Sequence, residues 1–528
     1  MMDKNTKINI NVPRERKGAF YTPQIWVELS QKYLADVLGE NWQDEYYIWD
    51  CAAGTGNLLM GLTNKHHIWA STLDKQDVDV MKDRIMNGAN LLESHVFQFD
   101  FLNDDFSKLP QGLQEVINDS EKCKKLVIYI NPPYAEASNR NTVVGKGENK
   151  SSVATETKVY KNYNAILGTA ARELFVQFLT QIYAHFPDAK LAHFSKLKFI
   201  QGSNFFKFRD FFKAEFKKGF VVPADTFDNV KGQFPIGFMI WNLENKQNIE
   251  NIKCDVFDEK AQLRGVKKFN TYNKGGFVID WLRNFYDKNS ERIAYLRMIG
   301  TDMQHNQGIF FTNQPSENDI KKHLTADITP KNLIQMCIYL SIRQVCQQNW
   351  LNDKDQFLFP NKKWEKDKEF QHNCLVYALF HGQNRITSKG GVNHWIPFTE
   401  NEVDSPEKFK SNFMVQFING KLKASGNGDV FKKEKLQITP LEFSSEAQAV
   451  FEAGRELWKY YLSKPDCNEN AALYDIREYF QGRNDKGKMN NKSEDQQYTF
   501  LMNALKESLK ILSKKIEPKI YEYGFLIQ

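Results

Sequence analysis

The sequence predicts an α/β protein whose first half is an open, largely parallel sheet with helices on both faces. Short apolar runs of strand character alternate with helical stretches up to about residue 245. A glycine-rich turn follows the first run, and Asn-Pro-Pro-Tyr at 131–134 follows another. This alternation is typical of βαβ units, whose strands present their carboxyl ends to one crevice. Both motifs are therefore expected at a single cleft.

The elements of this half follow from their apolar patterns. A continuous apolar run bounded by turn residues is typical of a buried strand, and an apolar stripe at helical spacing is typical of a surface helix. The predicted helices include 25–38 and 171–186. The predicted strands are 48–51, 68–73, 96–99, 126–130, 191–194 and 234–241.

Composition limits the possible classes of protein. A chain of 528 residues predicts about two to four domains. No apolar run has the roughly 18 residues of a membrane helix, and the first residues lack the apolar core of a signal peptide. The seven cysteines include no Cys-x-x-Cys pair, so neither a disulfide framework nor a metal site is favoured. We expect a cytoplasmic protein without a membrane partner, whose net charge of +6 permits nucleic-acid binding.

The tetrapeptide at 131–134 carries the most specific chemistry. The side-chain carbonyl of Asn131 and the backbone carbonyl of Pro132 can accept hydrogen bonds from an exocyclic amino group. Such acceptors draw out a nitrogen lone pair that is otherwise delocalised into the ring. Pro132 and Pro133 hold the backbone extended. Tyr134 offers a ring face on which a base can stack, an interaction worth about 1–3 kcal/mol. The alternative is an ordinary turn after a strand.

The glycine-rich turn, Asp50-Cys-Ala-Ala-Gly-Thr-Gly56, predicts close approach of a cofactor. Gly54 and Gly56 allow positive φ and remove side-chain bulk. The motif also contains Asp50 and Ala52, and it lies between a predicted strand and an apolar helix start. Together with the motif at 131–134, it indicates methyl transfer from S-adenosylmethionine to an amino nitrogen.

These motifs resemble those of gamma-class adenine-N6 DNA methyltransferases of bacterial restriction-modification systems. That class has an aromatic-Thr-Pro motif, a glycine-rich motif, Asn-Pro-Pro-Tyr and then a target-recognition region. This chain has Gly-Ala-Phe-Tyr-Thr-Pro at 18–23 before the other two motifs, and the match spans about 17–245. The resemblance implies a Rossmann-like, seven-stranded methyltransferase sheet in which the strand at 234–241 is antiparallel. It also implies S-adenosylmethionine as cofactor and double-stranded DNA as partner.

The resemblance extends to individual cofactor residues. Asp74 corresponds to the acid that holds the ribose hydroxyls, with Asp77 as a competing candidate. Asp100 corresponds to a residue that contacts the cofactor adenine. Tyr21, Thr22 and Pro23 correspond to the motif that closes over the methionine moiety; they also fit a helix start, with Thr22 capping and Pro23 in the first turn.

A methyltransferase acting on duplex DNA must flip its target base out of the stack. Tyr134 is one predicted stacking wall. Phe227, or less well Phe234, is the second, although burial in the core is the alternative for either. The polar stretch at 135–163 is either a DNA-contacting lid or a plain insertion.

The remaining chain is predicted to be α+β and largely helical. We expect a catalytic domain at 1–245, a target-recognition region at 246–435 and a helical region at 436–528. Amphipathic helices are predicted at 445–463, with Ser445 and Gln448 forming a capping box, and at 497–516. The basic segment 207–218 is predicted to be a core-facing helix with a solvated basic face, and 482–488 to be a solvated loop or a phosphate contact.

Three alternatives to a DNA methyltransferase, with or without a separate restriction endonuclease, remain open. A bifunctional enzyme would also cleave DNA, but only about 17 residues precede the first motif and no nuclease pattern is evident. Protein glutamine methyltransferases also use Asn-Pro-Pro-Tyr, but they are much smaller. An inactive DNA-binding subunit would not need intact motifs.

Overall fold

A computed structural model of the protein describes residues 21–134, 154–228, 230, 232–272, 275–422 and 439–527. No helix in these ranges combines the length and apolar character needed to cross a bilayer. The strands are β1 (Tyr47–Asp50), β2 (Ile68–Thr72), β3 (Val96–Gln98), β4 (Leu126–Ile130), β5 (Lys190–Lys196), β6 (Glu215–Pro223), β7 (Pro235–Asn242), β8 (Asn251–Phe257), β9 (Leu263–Asn270), β10 (Ala294–Arg297), β11 (Phe310–Thr312) and β12 (Thr325–Ile328).

Helices connect and cover these strands. The α-helices are α1 (Gln24–Leu38), α2 (Trp42–Glu45), α3 (Lys75–Met86), α4 (Gln111–Ile117), α5 (Ser120–Lys124), α6 (Lys158–Leu167), α7 (Leu174–His185), α8 (Lys198–Gln201), α9 (Phe206–Phe211), α10 (Val278–Arg283), α11 (Glu317–Lys321), α12 (Leu333–Val345), α13 (Lys368–Leu379), α14 (Phe413–Ile418), α15 (Ser445–Leu462), α16 (Leu473–Gln481) and α17 (Gln496–Glu522). Short 3-10 helices span Asn57–Leu59, Lys65–His67, Glu93–His95, Phe106–Lys108, Gly168–Arg172, Ser203–Phe205, Ala224–Thr226, Met303–Gly308, Lys362–Glu365, Ser388–Gly390 and Asn401–Val403.

The chain divides into two compact units, Met1–Lys274 with Asn349–Lys354, and Gly275–Gln348 with Asp355–Gln528. In the first unit, the described strands form one sheet in the order β3-β2-β1-β4-β5-β7-β6-β8-β9. Strands β1 to β5 pair in parallel, and β7 lies antiparallel between β5 and β6, as predicted. Every residue of β2 and β4 is buried, because helices cover both faces of a parallel sheet.

The sheet is larger than predicted. Seven strands were expected, but β8 pairs in parallel with β6 and carries β9 as an antiparallel edge strand. The first compact unit therefore extends beyond residue 245, where we expected the catalytic domain to end. Exposed and buried residues alternate along most of β8, but its lysine and aspartate resemble the polar sequence that surrounds the strand, so it was not recognised.

The basic segment 207–218 is not one helix. Helix α9 ends at Phe211, and β6 begins at Glu215. Phe208 and Phe212 are buried, as the spacing predicted. Arg209 was expected on the solvated face, but it is buried and donates to the carbonyls of Phe199, Gly202 and Tyr272, each at 3.0 Å. Its guanidinium therefore joins helix α8 and its C-terminal end to the segment that follows β9.

The second unit contains an antiparallel sheet of three described strands, in the order β11-β10-β12, packed among helices. Helix α15 matches the predicted amphipathic helix, but its cap is Ser444, which accepts from the amide of Ala447 at 3.2 Å, rather than Ser445. In α17, Phe500 belongs to the apolar stripe of the predicted helix 497–516 and was expected on its buried face, yet 67% of it is exposed. Tyr498 and Met502 occupy the core face instead.

The predicted basic loop at 482–488 lies beside α16. Arg483 forms an ion pair with Glu478 at 2.9 Å and donates to the hydroxyl of Tyr474 at 3.0 Å. Its phosphate role stays a prediction. The predicted lid falls partly on residues 135–153, outside the described ranges, and its last residues belong to α6.

Candidate active site

A cavity of about 270 Å³ opens at the carboxyl ends of β1 to β4 in the first unit. The strand order reverses beside β1, which lies between β2 and β4, and such switch points are where open α/β sheets bind ligands. The cavity brings together predicted residues from five separate segments. Those that line it are Tyr21, Thr22, Asp50, Ala52, Gly54, Asp74, Asp100, Asn131 and Pro133.

Asn131 lies at the centre of a hydrogen-bond chain. Its amide nitrogen donates to the hydroxyl of Thr22 at 2.8 Å. Its carbonyl oxygen accepts from the hydroxyl of Tyr134 at 2.5 Å. Burial raises the pKa of the Tyr134 phenol, so this group remains protonated and acts as the donor. The two contacts orient the amide, with its nitrogen toward Thr22 and its oxygen toward Tyr134.

The predicted helix cap at residues 22 and 23 is wrong in detail. Pro23 occupies the N-cap position of α1 instead of the first helical position, and no side chain caps the helix. The carbonyl of Pro23 accepts from the amides of Trp26 and Val27, which starts the helix without help from Thr22. The hydroxyl of Thr22 therefore bonds to Asn131 across the cavity. This tertiary contact joins residues 109 positions apart.

The two glycines of the turn differ in the space that surrounds them. Gly54 has φ of +53°, and a Cβ there would meet no atom within 4 Å, because the position borders the open cavity. Gly56 has φ of +80°, and a Cβ there would lie 3.2 Å from the sulfur of Met81 on α3. Gly54 thus leaves space for a ligand, whereas Gly56 lets the turn pack against a helix. Gly56 does not line the cavity.

Asp50 is the most buried acid of the site, with 1% of its surface exposed. Its carboxylate accepts from the amide of Ala52 at 3.0 Å, which fixes the start of the turn. Burial raises the pKa of Asp50 to about 8, because the charged form loses its hydration. A cationic group in the cavity would favour the ionised form.

The acids after β2 and β3 also face the cavity. Asp74 and Asp77 both line it, and Asp77 is the more buried of the two, at 6% exposure. The carboxylate of Asp100 accepts from the amide of Leu102 at 3.1 Å and from the side chain of Asn103 at 2.8 Å. Asp100 is therefore held in a fixed orientation, while the geometry leaves Asp74 and Asp77 as competing candidates.

Several lining residues were missed by the sequence interpretation. Leu174 and Phe178 come from α7, and Phe99 and Phe101 flank Asp100. These apolar residues belong to no recognisable motif. Their spacing predicts that they are buried but not that they line a cavity. Arg84 of α3 also supports the site, because it donates to the carbonyl of Thr55 at 2.7 Å and to the side chain of Asn57 at 2.8 Å. No basic side chain lines the cavity among the described residues.

The structure places the aromatic residues predicted to stack on the target base in different surroundings. Phe227 is buried in the core, with its ring centroid 6.0 Å from that of Phe194, and it does not line the cavity. Phe234 is half-buried. The ammonium of Lys196 lies 5.7 Å from the ring centroid of Phe234 and 5.8 Å from that of Tyr134, so both rings flank one lysine. Tyr134 and Phe234 do not line the cavity either, so the stacking roles stay a prediction.

No protein-family model and no curated protein matches this chain. Solved structures similar to it include the DrdV–DNA complex, with a TM-score of 0.37 and 13% identity over 65% of this chain and 40% of that chain. The type ISP restriction-modification enzyme LlaBIII bound to DNA has a TM-score of 0.34 and 12% identity over 63% and 27%. The M protein of the type I restriction enzyme EcoKI has a TM-score of 0.27 and 12% identity over 45% and 48%.

This chain spans less than half the length of each of these three structures.

Proposed function

We propose that this protein transfers a methyl group from S-adenosylmethionine to the N6 amino group of adenine in double-stranded DNA. The observation that carries the proposal is the convergence of three sequence motifs on one cavity, with the amide of Asn131 oriented by Thr22 and Tyr134. A reaction at an amino nitrogen needs a fixed acceptor beside a fixed electrophile. The cavity provides candidates for both roles.

The residues of the cavity fit S-adenosylmethionine by charge and shape. The cofactor carries a sulfonium and an ammonium, and the cavity is lined by Asp50, Asp74, Asp77 and Asp100. An acid at the end of β2 suits ribose hydroxyls, and the apolar walls beside Asp100 suit an adenine ring. The open space at Gly54 allows close approach of the ligand to the backbone. When bound, S-adenosylmethionine supplies an electrophilic methyl group.

The protein's contribution to the chemistry lies in Asn131 and its neighbours. Thr22 holds the amide nitrogen, so the carbonyl oxygen is the atom presented as an acceptor. A target amino group would take the place of the Tyr134 hydroxyl at that oxygen. Accepting a hydrogen bond from N6 favours a more tetrahedral nitrogen with an available lone pair. Preorganised polar groups of this kind cost little reorganisation during reaction.

The proposed substrate is a flipped base. An adenine N6 within a duplex is inaccessible to a cavity at the end of a sheet, so the target nucleotide must leave the stack. The rings of Tyr134 and Phe234 are the proposed stacking walls, and the ammonium of Lys196 lies 5.8 Å and 5.7 Å from their respective centroids. We further propose that the protein is the modification component of a restriction-modification system, with the residues beyond the first unit contributing recognition of duplex DNA.

The proposal is tested with the full-length protein and S-adenosylmethionine labelled in its methyl group. We expect label in unmethylated duplex DNA, and long-read sequencing should locate it on adenines of one short motif. The Asn131→Ala variant controls for methylases carried over from the expression host. Label that appears in a protein substrate instead would favour a protein glutamine methyltransferase. Magnesium-dependent cleavage of the same DNA would favour the bifunctional enzyme.

A further inference from the structure

The second unit contains a cavity of about 460 Å³ beside strand β11 and helix α11. Most of its lining side chains are polar, and none belongs to a motif of the sequence. The lining residues that matter here are Arg297, Phe310, Gln307, Gln314, Asn318 and Arg385. The charged groups of the lining are two guanidiniums and the carboxylate of Asp319, so the lining carries a net positive charge.

One of the two arginines is fully engaged by the protein. Arg297 donates to the carbonyl of Gly308 at 2.6 Å and forms an ion pair with Asp319 at 3.1 Å. A Cβ on Gly308 would lie 3.0 Å from the Arg297 guanidinium, so glycine permits this approach. The nearby guanidinium and hydrogen bonds hold the pKa of Asp319 below its usual range, which keeps the carboxylate charged. Arg297 is therefore an internal support of the cavity.

The other arginine lies over an aromatic ring and is attracted by the carboxylate of Asp319. The guanidinium carbon of Arg385 lies 4.2 Å from the ring centroid of Phe310. Arg385 is exposed, and its side chain forms no hydrogen bond or ion pair with any residue in the described ranges. The ring contact positions the guanidinium and uses none of its N–H groups, so these remain available for bidentate donation. Such an edge is preorganised for a planar pair of acceptors.

The neighbours of Arg385 favour a base edge over a phosphate as its partner. Gln307, Gln314 and Asn318 are exposed amides, which both donate and accept hydrogen bonds. A phosphate presents acceptors only, and a phosphate site would gain from further cations. A purine edge in the major groove presents acceptors for arginine and mixed donor–acceptor pairs for amides.

We propose that Arg385 recognises a guanine edge in duplex DNA, with adjacent amides contacting the neighbouring base pair. This inference deepens the proposed function, on which it rests, by naming a residue that determines sequence specificity. The guanidinium donates two N–H groups to O6 and N7 of guanine. Arg385 acts on the choice of DNA sequence and takes no part in methyl transfer.

The experiment compares the full-length protein with Arg385→Gln, Arg385→Lys and Arg292→Gln. Arg292 is the control, since its guanidinium carbon also lies 4.2 Å from a ring centroid, that of Tyr295, but outside the cavity. Unlike Arg385, it also forms an ion pair, with Asp327 at 3.6 Å. Each protein selects duplexes from a randomised library without cofactor, and the methylated motif is then read by long-read sequencing. Both measurements report sequence preference, and the selection of duplexes from the library does not depend on catalysis.

We expect Arg385→Gln and Arg385→Lys to lose discrimination at one G·C position by about 5- to 100-fold, the range for one bidentate base contact. Arg292→Gln should keep the parental motif. Arg385→Lys is decisive because it keeps the charge and removes the planar fork. An unchanged motif with uniformly weaker binding in Arg385→Gln, restored in Arg385→Lys, would overturn the proposal in favour of a phosphate contact.

The two proposals fail separately. A parent that selects a DNA motif but methylates no DNA would refute the proposed function and leave the role of Arg385 measurable by binding. A parent that methylates one motif, with the same motif in both Arg385 variants, would refute only the role of Arg385. A circular dichroism spectrum and melting curve for each variant exclude misfolding as the cause of a change.

Discussion

The two cavities differ in the charge of their lining residues and in how their polar side chains are held. The cavity of the first unit lies at the ends of strands, and its polar groups are tied by hydrogen bonds such as that between Asn131 and Thr22. The cavity of the second unit presents exposed side chains, and its key guanidinium, on Arg385, is held by contact with the ring of Phe310. One is lined by four acids without a basic group among the described residues, and the other by arginines and amides.

The difference follows from what each cavity is proposed to bind. A cofactor and a reacting nitrogen are the same in every turnover, so backbone turns and buried groups can be fixed around them. A recognition surface must offer hydrogen-bonding edges to whichever sequence is presented, which requires exposed groups. Variants of the first cavity should therefore alter the rate for every DNA sequence equally. Variants of the second should alter which sequence is chosen.

The largest effect is expected for Asn131→Ala. Loss of the oriented acceptor should lower methylation by at least about 100-fold, a typical cost of removing one preorganised polar group. Cofactor affinity, measured by calorimetry, should stay within a few-fold of the parent, and the DNA motif selected by binding should be unchanged. Methylation at a comparable rate would remove Asn131 from the proposed chemistry.

Asp74→Ala should weaken cofactor binding by about 1.5–3 kcal/mol, the range for a hydrogen bond that involves a charged group. Isothermal titration calorimetry measures this directly, and Asp77→Ala is the matched comparison because both acids line the cavity. If only Asp77→Ala loses affinity, the ribose role belongs to Asp77. In either case, the methylated motif should not change.

A smaller effect is expected for Thr22, whose role is to position Asn131. Thr22→Val should raise the barrier of the methyl-transfer step by about 1 kcal/mol, the net value of a neutral hydrogen bond. The loss should appear in kcat and not in KM for DNA, because the amide is misoriented while the DNA contacts remain. Thr22→Ser keeps the hydroxyl and should restore kcat. Equal losses in Ser and Val variants would indicate a packing role instead.

The last prediction concerns the pH dependence of stability. The folded pKa of Asp50 is raised to about 8, so its contribution is fully present below about pH 4 and is lost as the pH rises through about 8. Asp50→Asn keeps an acceptor for Ala52 but does not titrate. Between about pH 5 and about pH 8, the Tm of the parent should fall by a few degrees relative to that of Asp50→Asn. Parallel curves would contradict a raised pKa.

The local pattern of apolar residues was sufficient to predict most strands of the first unit. The apolar runs predicted β1 to β5 to within a few residues, because a buried parallel strand needs a continuous apolar sequence and turns at both ends. The antiparallel β7 was also confirmed. Strands β8 and β9 were missed. The edge strand β9 is mostly exposed, so its sequence resembles a polar loop, and the alternation in β8 spans only seven residues.

For the candidate sites, the sequence by itself determined which short motifs end which strands, and hence that Asp50, Gly54 and Asn131 share one cavity. Only the tertiary structure decided that Thr22 orients Asn131, that Phe227 belongs to the core, and that Arg385 stacks on Phe310. The physical reason is the distance along the sequence between the residues that interact. A motif at a strand end is set by neighbouring residues, whereas these contacts join side chains from about 30 to over 100 positions apart, through packing that no local periodicity encodes.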